Sequence, residues 1–251
     1  MELSAHVCAQ AFKDVLYESK DSFQSEISAA VQVVCRSINH ISRAEFGIAC
    51  ESTGVTRALA SDEACDINPL AYSRRRASWS RGRAAARIAL NKLGITTRAG
   101  VGRGEAGEPI WPLGINGSIT HCFPWSIAVA TESFGSICLG IDLEDTSRIQ
   151  EFEIETVICR PAECEWIHEG ENSLERLCMI FSAKEALYKS LFSSYRRYID
   201  FAEVELRWCS EERGFHVVTP PVGNSAQGQM SLIASRRCHN LVFSCAAYAK
   251  R

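Results

Sequence analysis

The sequence predicts an α+β protein built from two similar subdomains that meet near residue 137. The order of its segments is the first reason, because a helical region is followed by short β-like runs, and this order then repeats. The second is a change in hydrophobic period within each half, from helical spacing to alternation. We therefore expect subdomains over 1–136 and 137–251. No direct sequence repeat supports the duplication, so segment order alone predicts it.

In the N-terminal subdomain, apolar residues at helical spacing predict a helix within 12–38. A basic helix follows in RRRASWSRGRAAARIALNKLG, with Gly94 as its C-terminal stop. The glycines and prolines of AGVGRGEAGEPIWPLG indicate a surface loop. SITH, WSIAVATE and SICLGIDLE then read as strands separated by turns at 122–124 and 133–135.

In the C-terminal subdomain, a helical region is expected over about 149–193, interrupted near Pro161 and Gly170. Its last part, LERLCMIFSAKEALYKSLF, carries an apolar stripe. Four strands are predicted after it, in FAEVELRW, GFHVVT, MSLIAS and LVFSCAAYA.

Charge and composition narrow the class of protein. A net charge of −3 and a pI near 6.1 give no overall attraction to nucleic acid, so we expect no such partner. No apolar run approaches the roughly 18 residues that span a bilayer, and we expect a cytoplasmic protein without membrane association. The 12 cysteines form no CxxC pair, which favours reduced, structural thiols.

The strand SICLGIDLE carries the first candidate site. Alternation places Asp142 and Glu144 on one face, with Cα atoms about 7 Å apart, close enough for both carboxylates to reach one hard cation. Gly140 would leave room beside them for a bulky ligand. The alternative is a half-buried strand whose polar edge meets water, and the strand alone does not decide between the two.

The helix FSAKEALYKSLF carries the second candidate site. Lys184 and Glu185 interrupt its apolar stripe, and charges at such positions need partners. Glu185 and Lys189 are four residues apart, which is also the spacing of an ordinary surface ion pair. This helix alone does not decide the function either.

Together, GSITH, GIDLE and FSAKEALYK occur in an order that resembles the 4'-phosphopantetheinyl transferases. The resemblance extends over 74–248 and includes the upstream RRRASWSRGRAAAR and EPIWP, whereas residues 1–60 match no pattern of the family. The most similar branch is the two-lobed one typified by enterobactin synthetase component D, which activates siderophore and other secondary-metabolite synthetases. The resemblance implies a pseudo-twofold fold, a monomer, and transfer of phosphopantetheine from coenzyme A to a serine of an apo acyl, peptidyl or aryl carrier protein.

The resemblance also implies roles for the acidic residues. Asp142, Glu144 and Glu185 would hold Mg²⁺ together with the pyrophosphate of coenzyme A, in keeping with the oxygen ligands that this ion prefers. Lys189 would neutralise charge on the pyrophosphate. Glu185 is the best candidate for the general base, and whether it acts as metal ligand, base or both stays open.

Coenzyme A contacts implied by the resemblance fall on five residues: Arg75, Arg76, Arg83, Thr120 and His121. The arginines suit the 3'-phosphate, and His121 a further phosphate, with Ser118 as a neighbouring hydroxyl. Read without the family, the arginine cluster is a solvated helix face or a nucleic-acid patch. Glu108, before Pro109, departs from the basic or amidic residue common in relatives, so we assign it no phosphate contact.

Two alternatives from other classes remain. A non-catalytic module that binds coenzyme A or a carrier protein would be expected to have lost a carboxylate or the lysine, and this chain retains Asp142, Glu144, Glu185 and Lys189. A magnesium-dependent phosphohydrolase would release product without a carrier protein, and no motif of that class is present.

Overall fold

The computed structural model describes residues 23–34, 46–51, 63, 73–96, 100–133, 136–149, 151–222 and 228–250. The α-helices of more than one described residue are α1 (23–34), α2 (Ser73–Lys92), α3 (Glu151–Ile158), α4 (Pro161–His168) and α5 (Ser173–Tyr195). The strands are β1 (Phe46–Glu51), β2 (Gly102–Arg103), β3 (Pro109–Ile110), β4 (Ile115–Cys122), β5 (Trp125–Glu132), β6 (Ile137–Asp145), β7 (Glu205–Cys209), β8 (Gly214–Thr219), β9 (Gly228–Met230), β10 (Ile233–Cys238) and β11 (Leu241–Lys250).

All the described strand pairings are antiparallel, which makes this an α+β fold. One sheet has the order β1-β5-β4, and the other runs β6-β11-β10-β8-β7 with β9 paired to β11. The strands of the first sheet precede residue 133, and those of the second begin at 137. The pseudo-twofold relation and the 1–136 and 137–251 division stay predictions.

The predicted elements largely agree with the structure. Gly94 follows α2 with a φ of 75°, a left-handed conformation that glycine adopts without strain. The breaks at Pro161 and Gly170 separate α3, α4 and α5, with Pro161 in the first turn of α4. Two details differ. FAE of the first C-terminal strand is a short 3₁₀ helix at Phe201–Glu203, and MSLIAS is divided between β9 and β10. The N-terminal helix is confirmed over 23–34, and the rest of 12–38 lies outside the described residues.

Three apolar clusters hold these layers together. One face of β6 and β11 packs with α1 and with the inner face of β5, through residues such as Ile141, Phe243 and Val129. The opposite face packs against α5, through residues such as Cys138, Val242 and Leu187. A third cluster joins α2 to the outer face of β5, and the partly buried Ile115 and Ile119 of β4 pack against it. Strand β6 is therefore covered on both faces.

The open edge of β6 is bound by side chains of β4, not by another backbone. Asn116 Oδ1 accepts a hydrogen bond from the backbone N–H of Leu139 at 2.6 Å, and Ser118 Oγ accepts one from that of Ile141 at 3.1 Å. These bonds satisfy backbone donors that an edge strand would otherwise leave unpaired. They connect the two sheets directly beside Asp142.

The cysteines with described side chains lie outside any disulfide, and several of them are buried. Eight cysteines are free thiols, of which Cys122, Cys138, Cys178 and Cys245 are buried, in keeping with reduced, structural thiols. Cys8, Cys35 and Cys65 lie outside the described residues. Within the described ranges, no helix is both long and apolar enough to cross a bilayer.

Candidate active site

The predicted acidic strand and charged helix meet. Helix α5 packs across β6, and Lys189 Nζ lies 2.6 Å from Asp142 Oδ1 and donates a second hydrogen bond to the carbonyl of Ile141 at 3.2 Å. Burial lowers the pKa of Lys189, but Asp142 and the nearby glutamates outweigh it, so the net pKa is raised and the ammonium stays charged. The surface-pair interpretation of Glu185 and Lys189 is therefore wrong, since the ion pair of Lys189 is with Asp142.

Several carboxylate oxygens of this site have no protein donor within the described ranges. Asp142 is 3% exposed, and its Oδ2 is buried without a hydrogen-bond partner. Glu144 and Glu185 are half-buried, and the described residues offer neither of them a hydrogen bond. Buried carboxylates in this condition are costly unless a cation neutralises them.

The electrostatics of the glutamates agree with the geometry. Burial, followed by the charge of Asp142, raises the pKa of Glu144 to about 7. Burial also raises the pKa of Glu185, with Lys189 opposing and Asp142 adding to the rise. Three acidic groups therefore share one region of negative potential that Lys189, with a smaller contribution from Arg148 at Glu144, only partly offsets. A hard divalent cation fits this set of oxygen ligands.

The polar-edge interpretation of the acidic strand is wrong, because Asp142 is almost fully buried. The role expected of Gly140 is also wrong. A Cβ built on Gly140 would lie 1.9 Å from the carbonyl oxygen of Ala186 and 2.6 Å from the nitrogen of Ser190. The missing side chain makes room for the backbone of α5, not for a ligand. The close approach brings the helix against the strand and so brings Lys189 to Asp142.

Lys184 has a separate, structural role that the sequence reasoning missed. Its ammonium is buried, 2.7 Å from Glu163 Oε2, and donates to the carbonyls of Ile158, Phe201 and Val204. Glu163 in turn accepts from backbone N–H groups at both of its oxygens. This pair connects α4, α5 and the 3₁₀ helix. Lys184 and Glu185 are adjacent in sequence, but their side chains lie in different surroundings. Adjacent residues of a helix project in different directions, so helical spacing is consistent with this difference.

The polar residues of β4 divide by strand alternation. Thr120 is buried and its Oγ1 donates to Asp142 Oδ1 at 3.3 Å, so it contacts the acidic site itself. Ser118 is also buried, and its hydroxyl oxygen accepts the hydrogen bond from the backbone N–H of Ile141 at the edge of β6. His121 is exposed and follows Thr120 at the end of β4. It lies on the face of β4 that carries Ile119, which packs with α2.

The arginines of α2 differ in their surroundings. Arg75 and Arg76 are exposed in the first turns of the helix. Arg83 is 4% exposed, with its Nη2 donating to the carbonyl of Gly102 at 2.9 Å and its guanidinium 3.9 Å from the ring centroid of Trp79. Arg83 thereby attaches the hairpin β2–β3 to α2. Arg83 is therefore not part of a solvated helix face, whereas the exposure of Arg75 and Arg76 fits both a solvated face and a phosphate contact.

A cleft of about 270 Å³ opens beside Lys189, between the hairpin β2–β3 and helix α5. Its walls come from both sheets and from α5: Ala106, Gly107, Glu108, Pro109, Gly117, Ser118, Ile119, Leu139, Tyr188, Lys189 and Phe192. Glu108 lies on the hairpin side, where its carboxylate accepts from the N–H of Ala106 and lies 3.8 Å from Arg196. The cleft is mostly apolar, with the lysine as its cationic member.

Known proteins resemble the chain over this same region. The 4'-phosphopantetheinyl transferase N-terminal domain family matches residues 67–131, and the 4'-phosphopantetheinyl transferase superfamily matches 138–230. The acidic strand, β4 and α5 fall inside these matches. Together the two matches cover more than half of the chain.

Three characterised relatives are similar over part of their length. The 4'-phosphopantetheinyl transferase Npt of Nocardia iowensis is 34% identical over 139 residues, which are 55% of this chain and 62% of that protein. PptT of Mycobacterium tuberculosis is 29% identical over 57% of this chain and 63% of its own length. Enterobactin synthase component D of Escherichia coli K12 is 34% identical over 43% of this chain and 51% of its own length. The chain thus spans about half to under two-thirds of each relative. It belongs to the 4'-phosphopantetheinyl transferase superfamily.

Proposed function

We propose that the chain transfers 4'-phosphopantetheine from coenzyme A to a serine of an apo carrier protein, in a magnesium-dependent reaction. The observation that carries the proposal is the meeting of Asp142, Glu144 and Glu185, whose carboxylate oxygens have few protein donors, beside Lys189. The family matches over 67–131 and 138–230 supply the reaction class.

Magnesium, when bound by Asp142, Glu144 and Glu185, would neutralise charge on the coenzyme A pyrophosphate. Lys189 adds a fixed positive charge at the same place, held by its bond to Asp142. Thr120 positions Asp142 from the other sheet. Together, the bound magnesium and Lys189 would let an acidic site bind an anionic substrate.

The transfer needs one proton to be removed. The oxygen of the carrier serine attacks the β-phosphorus of coenzyme A, and the bond from that phosphorus to the bridging oxygen breaks, releasing adenosine 3',5'-bisphosphate. Glu185 accepts the hydroxyl proton in this proposal, directly or through water. Burial raises its pKa toward the range of an effective base. Ligand and base roles for Glu185 are both compatible with its position.

Contacts to the rest of coenzyme A follow from position and charge. Arg75 and Arg76, exposed at the start of α2, suit the 3'-phosphate, and exposed His121 suits a second phosphate oxygen. Arg83 would act less directly, because it is buried against Trp79 and Gly102. The apolar cleft of about 270 Å³ beside Lys189 suits the pantetheine arm.

The carrier classes remain acyl, peptidyl and aryl. The similarity to enterobactin synthase component D favours siderophore or other secondary-metabolite synthesis. A single chain that contains the whole acidic site is consistent with a monomer. The non-catalytic alternative is disfavoured, since each of the four site residues is present and all four are close enough to affect one another's charge.

Mass spectrometry tests the proposal directly. The protein is incubated with coenzyme A, Mg²⁺ and apo carrier proteins of each class, and the expected result is the mass increment of one phosphopantetheine. Asp142→Asn and Glu185→Gln should abolish it, whereas Glu165→Gln, an exposed substitution on α4, should not. No increment on any carrier, or nucleotide release without a carrier, would contradict the proposal.

A further inference from the structure

The tip of the β7–β8 hairpin brings together three potential metal ligands from a short stretch of sequence. Cys209 ends β7, Glu212 lies in the turn, and His216 is the third residue of β8. One ligand atom from each side chain lies within 4.8 Å of the other two. His216 Nε2 and Glu212 Oε2 are 2.6 Å apart. No part of the proposed transferase site uses these residues.

Strand register explains why the three side chains converge. Arg207 pairs with His216, and Cys209 pairs with Gly214. Because alternate residues share a face, Cys209 and His216 lie diagonally on the same side of the hairpin. The opposite side faces the core, where Leu206 and Phe215 are buried. The site therefore lies on the outer surface, accessible to solvent.

The turn completes the arrangement. Arg213 has a φ of 52°, a left-handed conformation that closes the turn between the strands. Glu212 precedes it and lies four residues before His216, which returns the carboxylate toward the imidazole. Glu211, the neighbouring acid, accepts a hydrogen bond from the Cys209 thiol at 3.3 Å. The thiol thus already lies among acidic groups.

We propose that Cys209, Glu212 and His216 form a binding site for Zn²⁺. Thiolate, imidazole and carboxylate are the ligands that zinc uses, and three of them leave the fourth tetrahedral position for water. Magnesium instead takes oxygen ligands, so the thiolate and imidazole of this site favour zinc over magnesium. Binding replaces the proton of the Cys209 thiol with the metal, and that proton is released to solvent.

The two sites are also separate in space. Strand β7 lies at the opposite end of the sheet order from β6, four strand positions away. At roughly 4.8 Å between neighbouring strands, this places the hairpin site about 19 Å from the acidic strand. Bound zinc would therefore fix the edge hairpin of the sheet rather than take part in phosphopantetheine transfer.

Cobalt, as a spectroscopic substitute for zinc, gives the test. The full chain is reduced, treated with a chelator and titrated with Co²⁺, and a thiolate-to-cobalt charge-transfer band that Zn²⁺ displaces is the expected result. Cys209→Ser should remove the band, while Cys164→Ser, a matched change on α4, should leave it. A band retained in Cys209→Ser, or no band in the unaltered chain, would overturn the proposal.

Three further variants test the other two ligands and separate Glu212 from Glu211, the two acids of the turn. Glu212→Gln and His216→Ala should each weaken Co²⁺ binding at least about tenfold, whereas Glu211→Gln should not. Equal weakening by Glu211→Gln and Glu212→Gln would indicate attraction by charge alone and overturn the assignment. All these variants should retain the phosphopantetheine transfer of the unaltered chain. The cobalt signal is independent of that activity, so either proposal can fail alone.

Discussion

Lys189 on α5 and Asp142 on β6 form a 2.6 Å ion pair that joins the charged helix to the acidic strand. The pair leaves Asp142 Oδ2 without a donor, while Lys189 also binds the carbonyl of Ile141. Lys189 therefore both binds the backbone of β6 and partly neutralises the acidic site. Its removal should affect stability and chemistry in different ways.

Lys189→Met should reduce transfer about 10²- to 10³-fold, because a charge that stabilises the reacting pyrophosphate is lost. The metal-free protein should also lose about 1–3 kcal/mol of unfolding free energy, since Asp142 is left buried with a weaker set of partners. Single-turnover kinetics and urea unfolding measure the two effects. Lys250→Met, at the exposed end of β11, is the control. Equal activities of the two variants would exclude Lys189 from the reaction.

Metal affinity should depend on pH through Glu144. Its pKa of about 7 lies above the ordinary value of 4.5, so the metal-free carboxyl is protonated below neutrality and must ionise to bind the ion. Affinity should fall about tenfold for each pH unit below 7 and change little above 8 on account of this group. Calorimetric titration with Mg²⁺ at several pH values measures the dependence. In Glu144→Gln, affinity should be lower throughout and this dependence on pH weaker.

The same pKa has a consequence for stability in the absence of metal. Between pH 4.5 and about 7, the folded protein binds a proton at Glu144 that the unfolded chain has released, so stability falls as the pH rises through this window. Glu144→Gln should therefore gain stability relative to the unaltered protein at pH 8, but not at pH 4. Thermal unfolding with a chelator present tests this. If the stability difference between Glu144→Gln and the unaltered protein were the same at both pH values, the raised pKa of Glu144 would be contradicted.

Gly140→Ala should separate α5 from β6. The new methyl group would overlap the carbonyl of Ala186, and the backbone cannot move away as a flexible side chain could. We expect a loss of about 1–3 kcal/mol or more, together with weaker Mg²⁺ binding, because Lys189 and Glu185 move with the helix. Gly94→Ala, where a Cβ meets nothing within 4 Å but φ is 75°, should cost about 1–2 kcal/mol and leave Mg²⁺ binding unchanged.

Lys184→Met should destabilise the protein strongly, by about 3–5 kcal/mol, because Glu163 would stay buried as an unpaired charge. The double variant Lys184→Met with Glu163→Gln should recover part of this loss. Urea unfolding of the four proteins in this cycle gives the coupling between the residues. A double variant no more stable than Lys184→Met would show that the carboxylate is not the source of the cost.

The sequence predicted the elements well where hydrophobic period and breakers agree. The alternation in SICLGIDLE predicted β6, and Pro161 and Gly170 marked the ends of α3 and α4. The strand alternation also placed Asp142 and Glu144 on a common face, and motif order pointed to the family. These are local properties, since each depends on residues within a few positions along the chain.

Only the tertiary structure decided the partners. Gly140 could have faced a ligand or a helix, and the packing of α5 shows that it faces a helix. Lys184 and Glu185 are adjacent in sequence, yet one is enclosed by carbonyls and Glu163 while the other lies near Asp142. Lys189 pairs across 47 residues instead of with the glutamate one turn away. A sequence pattern gives the face on which a side chain lies, but its partner depends on which distant element packs there, and that is set by the core as a whole.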